Sequence, residues 1–163
     1  MDRNELTAAF DDVFDDALVF HGYAPHLRDY DLYVDAWPGV GAGPRATRHL
    51  RYRFTHCVRV STTSAISPET WARSLDDRLL DPAVLDGPAE DITGYVWAVE
   101  WQCLYPGLTL LDPSQETARW QTAVGIPFHA ARVETNGHDL ELVFSDLVVS
   151  TVEPGFAPYT TTG

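Results

Sequence analysis

The sequence predicts an α+β fold in a single domain, with an antiparallel β-sheet of about six or seven strands and two or three helices packed on one side. Three observations predict it. Apolar residues recur at helical spacing near the N-terminus and again beyond residue 67. Stretches of two-residue alternation occupy much of the remainder. Turn signals separate these stretches, and Asn136-Gly137 stands between two alternating runs, the strongest short-range sign of a tight hairpin.

In chain order, Leu6, Phe10, Val13, Phe14, Ala17 and Leu18 predict an amphipathic helix over residues 4–20, with Asp11, Asp12, Asp15 and Asp16 on its opposite face. Asp11 with Asp15, and Asp12 with Asp16, are like-charged neighbours that disfavour an isolated helix by roughly 0.2–0.5 kcal/mol each. Gly22 and Pro25 supply its stop signals. Residues 29–37 alternate and predict a half-buried strand, with Asp31, Tyr33, Asp35 and Trp37 on one face. Residues 38–44 form a Gly/Pro loop. Residues 48–62 predict a long strand, with a bulge near His56 resetting the register. Ser67-Pro68-Glu69 opens a second helix with the stripe Trp71, Leu75 and Leu79. Strands are expected over 92–104 and 108–111, and a short helix over 114–124 capped by Ser114. A β-meander closes the domain: 128–135, the Asn136-Gly137 turn, a strand through Leu140, Leu142 and Phe144, and a continuation over 147–152. The single domain is thus expected over residues 1–152, with 153–163 a Pro-, Gly- and Thr-rich tail.

One internal similarity stands out. Leu50-Arg51-Tyr52-Arg53-Phe54-Thr55-His56-Cys57-Val58 parallels Leu140-Glu141-Leu142-Val143-Phe144-Ser145-Asp146-Leu147-Val148, and a Ser-Thr pair follows each. Phe20-His21 and Phe128-His129 lie upstream at unequal distances. Two readings stand: a duplicated hairpin unit with an insertion in its first copy, or the general likeness of alternating strands.

A chain of 163 residues with 45% hydrophobic residues can bury a core without staples. The polar start lacks a signal-peptide pattern, and no apolar run approaches the roughly 20 residues of a membrane span, so a cytoplasmic location is expected. The net charge of −13 argues against nucleic acid and anionic membrane and is compatible with a basic protein partner. Residues 36–68 hold five Arg and no acid, so Arg45, Arg48, Arg51, Arg53 and Arg59 are expected to pair with acids from elsewhere in the fold. Cys57 and Cys103 read as buried free thiols.

Catalytic signatures are weak, and no enzyme is predicted. There is no GxSxG elbow, no CxxC pair, no phosphate loop and no HExxH spacing. Cys57 and His56 are adjacent on a strand and point to opposite faces, a poor nucleophile–base arrangement. Asp139 with Glu141 reads as solvated acids beside a tight turn. The histidines His21, His26, His49, His56, His129 and His138 lie near the two similar stretches and offer an alternative, a small-molecule or metal site. No metal ligand set and no cofactor is predicted.

His21-Gly22-Tyr23, Arg28-Asp29-Tyr30-Asp31, Ser67-Pro68-Glu69-Thr70-Trp71, Ser74-Leu75-Asp76-Asp77-Arg78 and Glu134-Thr135-Asn136 with Leu140 to Phe144 resemble the YxiG-like family of small bacterial proteins over roughly residues 10–152. The resemblance implies no particular activity. A fainter likeness to small acidic immunity proteins implies an immunity-like role by analogy. The expected function is therefore a non-enzymatic protein-binding module for a basic partner. Its candidate surface is Asp11, Asp12, Asp15 and Asp16, with Asp31, Tyr33, Asp35 and Trp37 as a second patch, combining electrostatic steering with aromatic anchoring.

Overall fold

The computed structural model describes residues 1–26, 28–37, 47–68, 102–154 and 156. The expected second helix from residue 69, most of the 92–104 strand, the 38–44 loop and most of the tail lie outside these residues.

Within them the chain is mainly β, not α+β with helices along one side of a single sheet. Nine strands form two antiparallel sheets, and two short helices are present among the described residues. The strands are β1 (Ala17–Tyr23), β2 (Tyr30–Ala36), β3 (Arg48–Thr55), β4 (Arg59–Ser64), β5 (Gln102–Cys103), β6 (Gly107–Leu110), β7 (His129–Glu134), β8 (His138–Phe144) and β9 (Asp146–Thr151); the helices are α1 (Arg3–Asp11) and α2 (Gln115–Val124). One sheet runs β5-β1-β2-β3-β9 and the other β4-β8-β7-β6.

The two sheets face each other across one core. Leu32, Val34, Tyr52 and Phe54 from the first sheet meet Ala131, Val133, Leu142 and Phe144 from the second, with Phe54 and Phe144 in edge contact at 4.8 Å. Chain crossovers explain why two sheets form. β3 and β8 each sit inside one sheet, and the strand that follows each joins the opposite sheet. The stretches 48–64 and 138–151 therefore run antiparallel to each other throughout, β3 against β9 and β4 against β8. Partner numbers sum to 201 in the first pairing and 202 in the second, so one residue is inserted at the crossing. His56, with φ 49, lies at this point, and instead of one long bulged strand over 48–62 the chain leaves β3 in one sheet and enters β4 in the other. These are the two stretches whose sequences resemble each other. Exchanging β1 with β6, β2 with β7, β3 with β8 and β9 with β4 carries one strand order into the other, β5 excepted. Phe20-His21 lies on β1 and Phe128-His129 at the start of β7, so the exchange does not relate those two pairs.

The N-terminal helix is shorter than its apolar spacing predicts. Asp2 caps α1 through a capping box with Glu5, and the helix buries Leu6 and Phe10 against Phe54 and β6. It ends at Asp11 rather than near residue 20. Asp15 adopts φ 62, a left-handed turn that breaks helical geometry, and residues 17–23 form β1 instead. Ala17 and Leu18, counted as a helical stripe, pair with Asp35 and Val34 of β2. Non-local ladder bonds outweigh the local spacing there.

α2 matches expectation, capped by Ser114 and closed by Gly125 with φ 80. It covers the outer face of the second sheet, where Trp120 and Ile126 pack on Phe128, Ala130 and Val143. The outer face of the first sheet carries different chemistry at the equivalent place. Asp31 is 3% exposed and takes a bidentate bond from Arg53, with both N···O distances 2.8 Å. In the other sheet the corresponding pair is Ala130 opposite Val143. The expected pairing of the Arg block appears in Arg48 with Asp12, Arg53 with Asp31, and Arg59 with Glu116 and Glu141. From the expected tail, Phe156 packs on Tyr33 with ring centroids 5.5 Å apart.

Candidate functional site

The expected acidic helix face does not exist as one surface. Asp12 caps the end of α1 and pairs with Arg48. Asp16 is 8% exposed, and its Oδ1 accepts the Trp37 backbone N–H at 2.8 Å. Burial raises the Asp16 carboxyl above its usual range, against the opposing pull of that hydrogen bond. Asp11 stays exposed at the helix end. The second patch divides in the same way. Asp31 is committed to Arg53, Tyr33 is buried with its hydroxyl directed at Asp31, and Asp35 pairs with His49 at 2.6 Å. Trp37 remains open at 56% exposure. β2 is buried on both faces: Leu32 and Val34 lie in the core between the sheets, and on the other side Phe156 covers Tyr33 and Arg53 bonds Asp31.

Asp15 is brought somewhere unexpected. Its left-handed turn directs it into a cleft of about 380 Å³ lined by Cys103, Tyr105, Pro106, Glu134, Asn136 and Asp139. Three distant segments converge there: the turn before β1, the β5–β6 connection and the β7–β8 hairpin. Backbone bonds fix them. Asp15 N–H donates to the Leu104 carbonyl, Leu104 N–H to the Asp16 carbonyl, and Asn136 N–H to the Cys103 carbonyl. Asn136 Oδ1 accepts the Cys103 N–H at 2.8 Å.

The cleft is acidic. Among the described residues, Asp15, Glu134 and Asp139 form no salt bridge, while the nearby Arg132 is held by Glu141. A second hollow of about 340 Å³ adjoins it over the outer face of the second sheet, sharing Glu134 and Asp139 and adding Ser61, Thr63 and Glu141. At the cleft, Phe14 and Tyr105 pair with centroids 5.6 Å apart and are 58% and 62% exposed. The rim of the acidic cleft thus presents two large aromatic rings to water.

The family comparison bears on this chain as a whole. The family model of the YxiG-like protein matches residues 2–162. The chain belongs to the YxiG-like family. No match is found among curated proteins. The Glu134-Thr135-Asn136 stretch that carries part of the likeness lies along the cleft of this YxiG-like chain.

Cysteine chemistry in the YxiG-like cleft is quiet. Cys103 Sγ donates to Asp15 Oδ1 at 3.1 Å, and burial followed by that carboxylate pushes the thiol up to about 12. Cys57, buried and remote, is likewise pushed up to about 12 by burial. Both cysteines are free thiols. Neither forms an appreciable thiolate at neutral pH. Of the histidines, His21 and His138 come together, with ring centroids 6.4 Å apart. Among the described residues, no group of three or more His, Cys, Asp or Glu is arranged to hold a metal ion. No helix among those residues is long and apolar enough to cross a membrane.

Sequence reasoning selected Asp15 but missed Glu134, Asp139, Phe14 and Tyr105 as its companions. Asp139 was visible only as an acid beside a tight turn, and the Asn136-Gly137 signal was the one clue that this hairpin tip is well defined.

Proposed function

We propose that this protein is a non-enzymatic binding module that takes a basic segment of a protein partner into the acidic cleft. One observation carries the reading: Asp15, Glu134 and Asp139, which form no salt bridge among the described residues, line one cleft whose exposed edge is the Phe14–Tyr105 aromatic pair. An Arg side chain satisfies both features, with its guanidinium bonding carboxylates and stacking on an aromatic face. The adjoining hollow gives room for further residues of an extended segment. Net charge of −13 adds long-range attraction for a basic partner. The raised thiols of Cys103 and Cys57 favour binding over nucleophilic chemistry. In its narrowest form the role is immunity-like, with the module occupying a basic partner and so silencing it. That form rests on a sequence likeness alone.

The test is a fluorescence or NMR titration with a short Arg-rich peptide. Binding is expected to weaken about tenfold in Glu134→Gln/Asp139→Asn and to fall with added salt. Chemical-shift changes should centre on residues 14–16, 103–106 and 134–139. Unchanged affinity in the double variant, or shifts elsewhere, contradicts the reading.

A further inference from the structure

β5, described over Gln102 and Cys103, joins the two sheets. It pairs with β1 at the edge of the first sheet, and its Gln102 side chain reaches the β7–β8 hairpin of the second. Gln102 Oε1 accepts from the His138 backbone N–H at 3.0 Å and from the Thr135 hydroxyl at 2.6 Å. The His138 N–H is shared with Thr135 Oγ1 at 2.8 Å, and because a backbone N–H only donates, its contact with Gln102 assigns oxygen to that end of the amide. Gln102 Nε2 therefore faces His138 Nδ1, at 2.9 Å, as the donor. A Nδ1 that accepts this bond belongs to the tautomer that carries its proton on Nε2. The packing is close: a Cβ on Gly137 would lie 2.9 Å from the Gln102 amide carbon.

We infer that Gln102, His138 and His21 form a proton-sensitive latch that holds β5 on the β7–β8 hairpin when the histidines are neutral and releases it when they are protonated. A proton on His138 Nδ1 would set N–H against N–H at the Gln102 bond. A proton on either ring would also meet the other ring 6.4 Å away. His21 lies on β1, and its Nδ1 is 2.7 Å from the Tyr30 hydroxyl of β2. Burial, then His138, lowers the His21 pKa. Among the described residues, His138 forms no salt bridge with a carboxylate. β4 pairs Ser64 with it, and the hairpin turn contributes the Thr135 hydroxyl, which accepts its backbone N–H. The nearest carboxylate in sequence, Asp139, faces the Thr135 N–H at 3.4 Å. For His21 the sign is definite. The folded state binds its proton less readily than the unfolded state, so stability is intact above the ordinary value of about 6.5 and declines as pH falls below it. The hairpin also walls the acidic cleft, but the latch does not depend on what that cleft binds.

The test is hydrogen exchange of the full chain between pH 7.5 and 5.5, with ring ¹⁵N shifts read on the same sample. The wild type should show His138 as the Nε2–H tautomer at high pH. Protection of the Cys103 and His138 amides should fall about tenfold beyond the change in intrinsic rate as the pH drops. Gln102→Glu offers only acceptors to the ring, so the pH at which protection is lost should move down by about one unit. An Nδ1–H tautomer, protection that survives to pH 5.5 in the wild type, or an unmoved midpoint in Gln102→Glu overturns the latch. Should the variant fail to fold, the wild-type tautomer and protection profile decide the question alone.

Discussion

Arg53→Val should be among the most damaging single substitutions in the first sheet, and a second change should largely repair it. Asp31 is 3% exposed and holds Arg53 by two 2.8 Å bonds; its other side-chain partner among the described residues is the Tyr33 hydroxyl at 3.3 Å. Removing Arg53 leaves a buried carboxylate with one weak neutral donor. Breaking such a pair costs about 3–5 kcal/mol. The lower end, about 3 kcal/mol, applies because the Arg53 side chain is 28% exposed and partly screened by water. Asp31→Ala should cost less, about 1–2 kcal/mol, because the stranded guanidinium can turn to solvent. The double variant Asp31→Ala/Arg53→Val copies the Ala130–Val143 pair of the second sheet. It should cost no more than about 1–2 kcal/mol, a coupling of about 3 kcal/mol between the two positions. Urea unfolding at pH 7 measures all three, with the Arg53→Val midpoint expected about 1–2 M below wild type. A loss under about 1 kcal/mol in Arg53→Val, or a double variant equal to the sum of the singles, would refute the reasoning.

Other predictions test the cleft and its surroundings. Asp16→Asn removes a buried charge while keeping an acceptor for the Trp37 N–H; it should be neutral or stabilising by up to about 1 kcal/mol at pH 7. Because burial raises the Asp16 pKa, that benefit should shrink as pH falls and the wild-type carboxyl gains its proton, as calorimetry at pH 7 and pH 4 can check. Asp15→Asn keeps a residue tolerant of the left-handed turn but removes the carboxylate beside Cys103; alkylation of that thiol at pH 8 should quicken several-fold. Gly137→Ala puts a methyl group against the Gln102 amide and should lower stability by about 1–2 kcal/mol in thermal unfolding.

Where local rules decide the structure, the sequence was legible. Ser114 caps α2 and Asn136-Gly137 turns β7 into β8. The alternation of Leu50, Tyr52 and Phe54 identified the core face of β3. Where non-local pairing decides it, the sequence misled. Phe14, Ala17 and Leu18 continue the helical period of Leu6 and Phe10, but pairing with β2 turns Ala17 and Leu18 into a strand and leaves Phe14 at the cleft. Two sheets instead of one follow from the strand crossings at residues 56 and 145, and alternation alone does not say which sheet a strand joins. The candidate site was the least legible part. Tyr33 and Asp31 looked like a surface patch because alternation shows two faces and not what covers each; Arg53 and Phe156 cover theirs. Asp15, Glu134 and Asp139 lie up to 124 positions apart, and only the fold brings them to one cleft.

The central claim is that the acidic cleft with its Phe14–Tyr105 edge receives a basic partner. Capture from native cells, comparing the wild-type protein with Asp15→Asn/Glu134→Gln/Asp139→Asn of equal stability, tests it most directly. The wild type should retain a stoichiometric basic protein that is released at high salt and is absent from the triple variant. The same protein retained equally by both, or no basic protein with either, would contradict it.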